Sequence, residues 1–425
     1  MGVVALVVAT TAIVLTISPD PDKSVAAGNQ HAPQGTLFQR GPAGSSTAAP
    51  AVFLVDGARL AAEKAGYARG DAAVVTAVTA LLKRADRDLA VNPVSATAKS
   101  QTPPSGDKHD YMSLSVYAWP NPTTPDGLPY VLRDGQRNPA IATIPDKENL
   151  LRVTDWAQEL GYAYYFSGNE DYATKARALL AAWFLDPSTK MNPNLTYAQA
   201  VKGVSTGQPG GIIDGSDLPK IVDAAGLLAG SRSWTAADAA GLRGWFGSYL
   251  SWLRTSSQGA HEAATINNHA TWYADQIVDY ALYTGNISLA TQTAAAAQRD
   301  IISLQIQPDG TQPAELDRAE SWSYSTYNVA ALARLAQLAG LAHVDLWHFQ
   351  AANGASIRKA LDLVAGYATR LPSWPYPQSR PATWQYLVLP LYAAATRYGD
   401  PAYAALAAVG AASLPAMYPA AVLLG

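Results

Sequence analysis

The segment His261-Glu262-Ala263-Ala264-Thr265-Ile266-Asn267-Asn268-His269-Ala270-Thr271-Trp272-Tyr273 crowds histidine, carboxylate, amide and aromatic side chains ahead of an apolar run. Asparagine is favoured at a helix N-cap, so Asn267-Asn268 marks a helix start and puts His269 in the first turn. Amide and imidazole N–H groups there could hold an anion, helped by the positive end of the helix. The same residues would also serve as a plain cap followed by a buried histidine. A zinc-protease reading fails, because His261-Glu262 would need a second histidine where the chain has Thr265. His31, His109, His343 and His348 complete no ligand spacing either, so neither a metal nor an organic cofactor is expected.

Three more polar clusters stand out. In the stretch from Gln307 to Tyr327, Arg318 and Tyr324 lie six residues apart. That is under two turns, so a helix opening near Arg318 would let both reach one cleft; a surface arginine and a core tyrosine is the plainer use. The segment 105–135 sets His109, Tyr111, Tyr117, Trp119 and Tyr130 among Pro, Gly, Asp and Asn. Aromatic rings on such a loop suit a wall or lid against sugar rings. Asn194-Leu195-Thr196-Tyr197-Ala198-Gln199, followed by Gly207-Gln208-Pro209-Gly210-Gly211, adds Tyr197 and Gln199. Tyr (22) and Trp (11) outnumber Phe (6), a bias toward rings with a polar handle, although core filling accounts for most of them.

The elements that must position these groups read as helices. Ala dominates many stretches, and it is the best helix former. Apolar residues recur at helical spacing from about Ala49, and again over 72–89, 147–167, 171–185, 218–228, 236–256, 270–284, 288–305, 321–339, 355–370, 383–398 and 401–412. Gly168-Asn169 and Gly285-Asn286 are stop-and-start signals. Short connections imply antiparallel neighbours. The expected fold is all-α, an (α/α)n toroid built as an incomplete double ring of antiparallel helices. The break over 91–146 is long for a structureless loop and reads as a functional lid.

Composition narrows the partners. A net charge of −3 argues against a broad nucleic-acid face but not against an acidic ligand in a local pocket. No stable protein partner is implied. The absence of cysteine excludes a disulfide framework and a cysteine metal site. Val3 to Ile17 is nearly all apolar, short for a membrane span and the length of a signal-peptide core. Small residues at Ser24-Val25-Ala26-Ala27 offer a cleavage site, whereas a positive n-region is missing. Residues 1–27 are therefore expected to be a signal peptide, with a membrane anchor as the alternative. Residues 28–49 read as a flexible linker and 50–425 as one toroid domain. A secreted protein follows.

Taken in order, the four polar segments resemble the alginate-lyase-like superfamily of α/α-toroid polysaccharide lyases, which includes alginate and glucuronan lyases. Asn267-Asn268-His269, the 315–324 stretch, and Asp110-Tyr111 through Trp119-Pro120 carry the resemblance, which spans about Ser105 to Trp347. It implies β-elimination on a 4-linked uronic-acid polymer. It also implies Asn268 and His269 as neutralisers of the substrate carboxylate, Tyr324 as the catalytic tyrosine and Arg318 beside it.

Such chemistry makes sense of the residue types. The C5 proton of a uronate is α to a carboxylate, and its removal builds a second negative charge. Donors that neutralise the carboxylate stabilise that state more than the ground state. A phenol with a pKa of about 10 is a weak base in water, and a nearby arginine favours the phenolate. His269 could instead be the base for the opposite C5 configuration, with Glu262 orienting it. Asn267, Trp272 and Tyr273 join His109, Tyr111, Tyr117, Trp119, Tyr130, Tyr197 and Gln199 as expected substrate contacts. Two other classes remain. A glycoside hydrolase would need paired carboxylates such as Glu262 with Glu315 or Asp317. A non-catalytic glycan-binding surface protein would need only the aromatic loop.

Overall fold

The computed structural model describes residues 49–414 and Leu423. The expected signal segment 1–27 and nearly all of the linker 28–49 lie outside them. Fifteen α-helices follow in order among the described residues. They are α1 (Gly57–Arg69), α2 (Ala72–Asp88), α3 (Asp146–Ser167), α4 (Glu170–Leu180), α5 (Pro219–Leu227), α6 (Ala236–Thr255), α7 (Ser257–Ala263) and α8 (Asn268–Thr284). Then come α9 (Ile287–Ala297), α10 (Ser303–Gln305), α11 (Pro313–Leu316), α12 (Ser321–Leu341), α13 (Ile357–Ala368), α14 (Val388–Tyr398) and α15 (Pro401–Ser413).

Successive helices pack as pairs: α3 against α4 and α5, α8 against α9 and α12, α14 against α15. The architecture is the expected all-α toroid. Most boundaries fall where the stop-and-start signals put them. Asn169 and Asn286 cap α4 and α9 through their side chains, and Gly168 and Gly285 end α3 and α8 in the left-handed region. Three differences stand out. The first helix opens at Gly57, because Asp56 accepts from the Ala58 and Arg59 N–H groups, rather than near Ala49. The helix expected over 383–398 opens only at Val388. The short α7 was not anticipated, since seven residues hold too few turns to print a period.

Helices α8 and α12 are buried along most of their length and pack on each other. Polar residues between them are paired within the core. Asn328 donates to Gln305 at 2.9 Å and to Gln312 at 2.8 Å, and Thr271 donates to Gln305 at 3.1 Å. Gln305 in turn donates to the Asn267 carbonyl at 3.0 Å. A buried network of this kind favours a single arrangement, and here it holds the carbonyl of the residue that caps α8, while the Asn328 Oδ1 within it has no partner among the described residues.

The break over 91–146 carries three short strands, β1 (Met112–Leu114), β2 (Ala118–Trp119) and β3 (Val131–Leu132), and β4 (Tyr197–Ala200) follows later. Strands β2 and β3 form an antiparallel ribbon, whereas β1 runs parallel to β4. Buried Asp214 knits this region together, accepting from Tyr111 at 3.0 Å, Ser113 at 2.7 Å, Lys147 at 2.6 Å and Gln199 at 2.9 Å.

Candidate active site

The start of α8 supplies one half of the site. Asn267 is the N-cap, and its Oδ1 accepts from the His269 N–H at 3.1 Å. The ring of His269 is half-buried, with Nδ1 2.6 Å from Oε1 of the buried Glu262 on α7. A carboxylate on Nδ1 sets ring orientation and tautomer and leaves Nε2 as the working atom. Gly210 packs against the ring. A Cβ there would sit 3.3 Å from Cε1 of His269, so the residue's lack of a side chain makes room for the imidazole.

Asn268 does not behave as expected. It is wholly buried, and both its backbone N–H, at 2.5 Å, and its Nδ2, at 2.8 Å, donate to the carboxylate of Glu315 on α11. The Ala270 N–H goes to the Asn267 carbonyl at 3.1 Å. The first three N–H groups of α8 are therefore taken, and no open anion-binding cradle is left at this helix end. In this structure the Asn268 donors brace Glu315, and its Oδ1 has no partner among the described residues. Asn267 is half-buried, with its Oδ1 taken by the His269 N–H.

The start of α12 supplies the other half. Arg318 precedes the helix rather than opening it. Its Nη2 still donates to the Tyr324 Oη at 2.7 Å, and its guanidinium lies 3.7 Å from the centre of the Tyr324 ring. The Tyr324 hydroxyl is also 2.8 Å from that of Tyr117. Asp134, next to β3, grips Arg318 at 2.5 and 3.1 Å and accepts from the Ala319 N–H at 2.8 Å. Burial pushes the Tyr324 phenol well above its ordinary pKa, and the Arg318 charge opposes that rise without cancelling it. The arginine alone does not make a resting phenolate.

The two halves adjoin through Glu315. Burial raises its pKa, and the Asn268 donors, Arg318 and His269 all act to lower it. One carboxylate thus feels both the arginine of one half and the histidine of the other. Glu315 opens the 315–324 stretch that carries the resemblance, but neither it nor Asp134 was given a role in lyase chemistry. The only signal was their place in the polar segments around Arg318 and Gly135.

Other expected contacts divide. Tyr117, Trp119 and Tyr130 are half-buried on or beside the β2–β3 ribbon, with the Trp119 Nε1 on the Gln136 carbonyl at 2.7 Å and Lys202 5.6 Å from the Tyr130 ring. Tyr197 lies half-buried in β4. Tyr111 is wholly buried on Asp214, and Trp272 is buried against Tyr327 with ring centres 4.8 Å apart; both are core residues, not ligand contacts. Tyr273 spends its hydroxyl on the Leu253 carbonyl at 3.1 Å and packs on the core. The His109 Nδ1 sits on the Lys190 carbonyl at 2.6 Å, and Gln199 donates to Asp214, so each braces a loop. No cluster of metal-ligating side chains occurs among the described residues.

The family model for alginate lyase matches residues 95–374. Among solved structures, the chain is similar to an alginate lyase from Bacteroides ovatus, at 35% sequence identity and a TM-score of 0.81, over 85% of this chain and 96% of that one. It is also similar to alginate lyase A1-III from Sphingomonas species A1, at 18% identity and a TM-score of 0.48, over 75% of this chain and 84% of that one. No curated protein sequence matches.

Proposed function

The chain belongs to the alginate lyase family and is a polysaccharide lyase, and from that premise we propose that it cleaves a 4-linked uronic-acid polymer of the alginate type by β-elimination at the His269–Tyr324 site. The observation that carries this reading is the pairing of two oppositely prepared groups. His269 is held through Nδ1 by Glu262, and Tyr324 keeps its proton under the Arg318 guanidinium. An imidazole held through Nδ1 presents Nε2 to take a proton, and a phenol that keeps its proton can give one up.

In the proposed step, the Nε2 of His269 takes the C5 proton. The electron pair of that C–H bond becomes the C4–C5 double bond as C4–O4 breaks. Tyr324 gives its phenolic proton to the departing O4, and the Tyr117 hydroxyl beside it offers a path for reprotonation. Asn267 and the Arg318 charge face the negative charge that builds on the carboxylate.

A second reading rests on the contact between Arg318 and Tyr324, which favours phenolate. There Tyr324 both removes the C5 proton and returns one to O4, while His269 donates from Nε2 to the carboxylate. A methyl-esterified polymer separates the two. Under the first reading His269→Ala is equally damaging on free and esterified polymer. Under the second, esterification removes the charge and restores much of the loss.

A hydrolase finds little support, because Glu262 is committed to His269 and Glu315 to Asn268, which leaves no open pair. Ultraviolet absorbance of the conjugated unsaturated uronate in digested polymer tests the proposal; reducing ends without that absorbance would sink it. Export of the enzyme is part of the proposal. Among the described residues no helix is long and apolar enough to cross a membrane.

A further inference from the structure

The loop after β3 touches the start of α12 through two separate ties. Asp134 grips Arg318 and the Ala319 N–H. One residue on, the Gly135 carbonyl accepts from Arg380 at 2.8 Å, and Arg380 also pairs with Glu320 at 2.9 Å. Gly135 has φ +73°, and a Cβ there would come within 3.0 Å of the Ala319 Cβ, so only glycine lets the loop seat this closely. The fixed fork of an arginine means that a two-point carboxylate sets both the position and the plane of the guanidinium. Arg318 lies outside the helical ladder of α12, and its side-chain contacts are Asp134 and Tyr324.

We infer that Asp134 is a positioning residue: its carboxylate holds the Arg318 guanidinium on Tyr324, so the loop after β3 takes part in building the proton-transfer pair. Burial alone would raise the Asp134 carboxyl, but the bonds from Arg318 and Ala319 outweigh it and hold the group below the usual carboxylate range. The grip therefore stays ionic at neutral pH. Arg380 ties the same loop without reaching Arg318, and so provides the control. The inference rests on the role proposed for Tyr324.

The test compares Asp134→Ala, Asp134→Asn and Arg380→Ala in the full chain, with thermal unfolding recorded for each. Both Asp134 variants should lose about 10²-fold in kcat, the size of a small misplacement of a reacting group, with KM changed far less. Arg380→Ala should keep kcat within a few-fold and raise KM. In an Arg318→Ala background, Asp134→Ala should add no further loss. Equal kcat losses in Arg380→Ala and Asp134→Ala would reduce Asp134 to a loop tether. Additive losses with Arg318→Ala would overturn the inference as well. A crystal structure of Asp134→Ala decides the point independently of activity: Arg318 should leave the Tyr324 ring, and finding it still seated overturns the inference. Wild-type enzyme that releases no unsaturated product would instead sink the lyase chemistry.

Discussion

The two halves of the site are built in opposite ways. At the start of α8, Glu262 reaches His269 across seven residues and Asn268 reaches Glu315 across 47, and Glu262, Asn268 and Glu315 are essentially inaccessible to solvent. At the start of α12, Tyr324 meets Tyr117 across 207 residues and Arg318 meets Asp134 across 184. There the Arg318 and Asp134 side chains keep 25% and 38% of their surface exposed. The α8 half is held by buried carboxylates on α7 and α11. The α12 half takes two of its partners, Tyr117 and Asp134, from the 117–136 ribbon.

That contrast predicts that damage to the groups placed to meet substrate is read in kinetics, whereas damage to the buried Asn268–Glu315 brace is read largely in stability. The largest effect belongs to Tyr324→Phe, which should lower kcat by about 10³-fold, within the range of a positioned acid or base, with an unchanged melting temperature. Turnover near wild type would remove Tyr324 from the mechanism. Glu262→Gln comes next. Without the carboxylate on Nδ1, His269 loses its orienter, and kcat should fall by about 10²-fold, the lower edge of the same range; a change confined to KM would argue that the histidine only binds.

Asn268→Ala should reverse the pattern. It strips a donor from the buried Glu315 carboxylate, at roughly 1–3 kcal/mol of stability, while kcat drops less than about tenfold, short of the loss expected for a preorganised transition-state donor. A full-strength fold with a 10²-fold kcat loss would return this amide to the substrate and break the comparison. The smallest effect is that of Trp119→Ala on the ribbon, where KM for polymer should rise about 2- to 10-fold, as for one lost aromatic contact. If calorimetry shows lost stability and KM stays put, Trp119 is packing only.

The sequence marked the two helix starts well. Asn267 as cap and His269 in the first turn follow from local capping preferences, and Arg318 with Tyr324 follows from a short spacing in a polar stretch. It misread the direction of several side chains. Tyr111, Trp272 and Tyr273 share their residue types with sugar-binding rings. Nothing local distinguishes a ring aimed at Asp214 or at the Leu253 carbonyl from one aimed at solvent. The Asn268–Glu315 bond was not legible for a similar reason, because Glu315 lies on another helix.

Helix content, the caps at Asn169, Asn267 and Asn286, and the family-like order of the polar segments are all written in near neighbours. Hydrogen bonds and periodicity within a helix involve residues a few positions apart, and so the chain itself determined them. Which of two adjacent asparagines faces the cleft, which carboxylate holds the arginine, and whether the tyrosine keeps its proton were decided only by tertiary structure. Each depends on burial and on partners brought together from tens to hundreds of residues away, and those distances are set by how the helices stack.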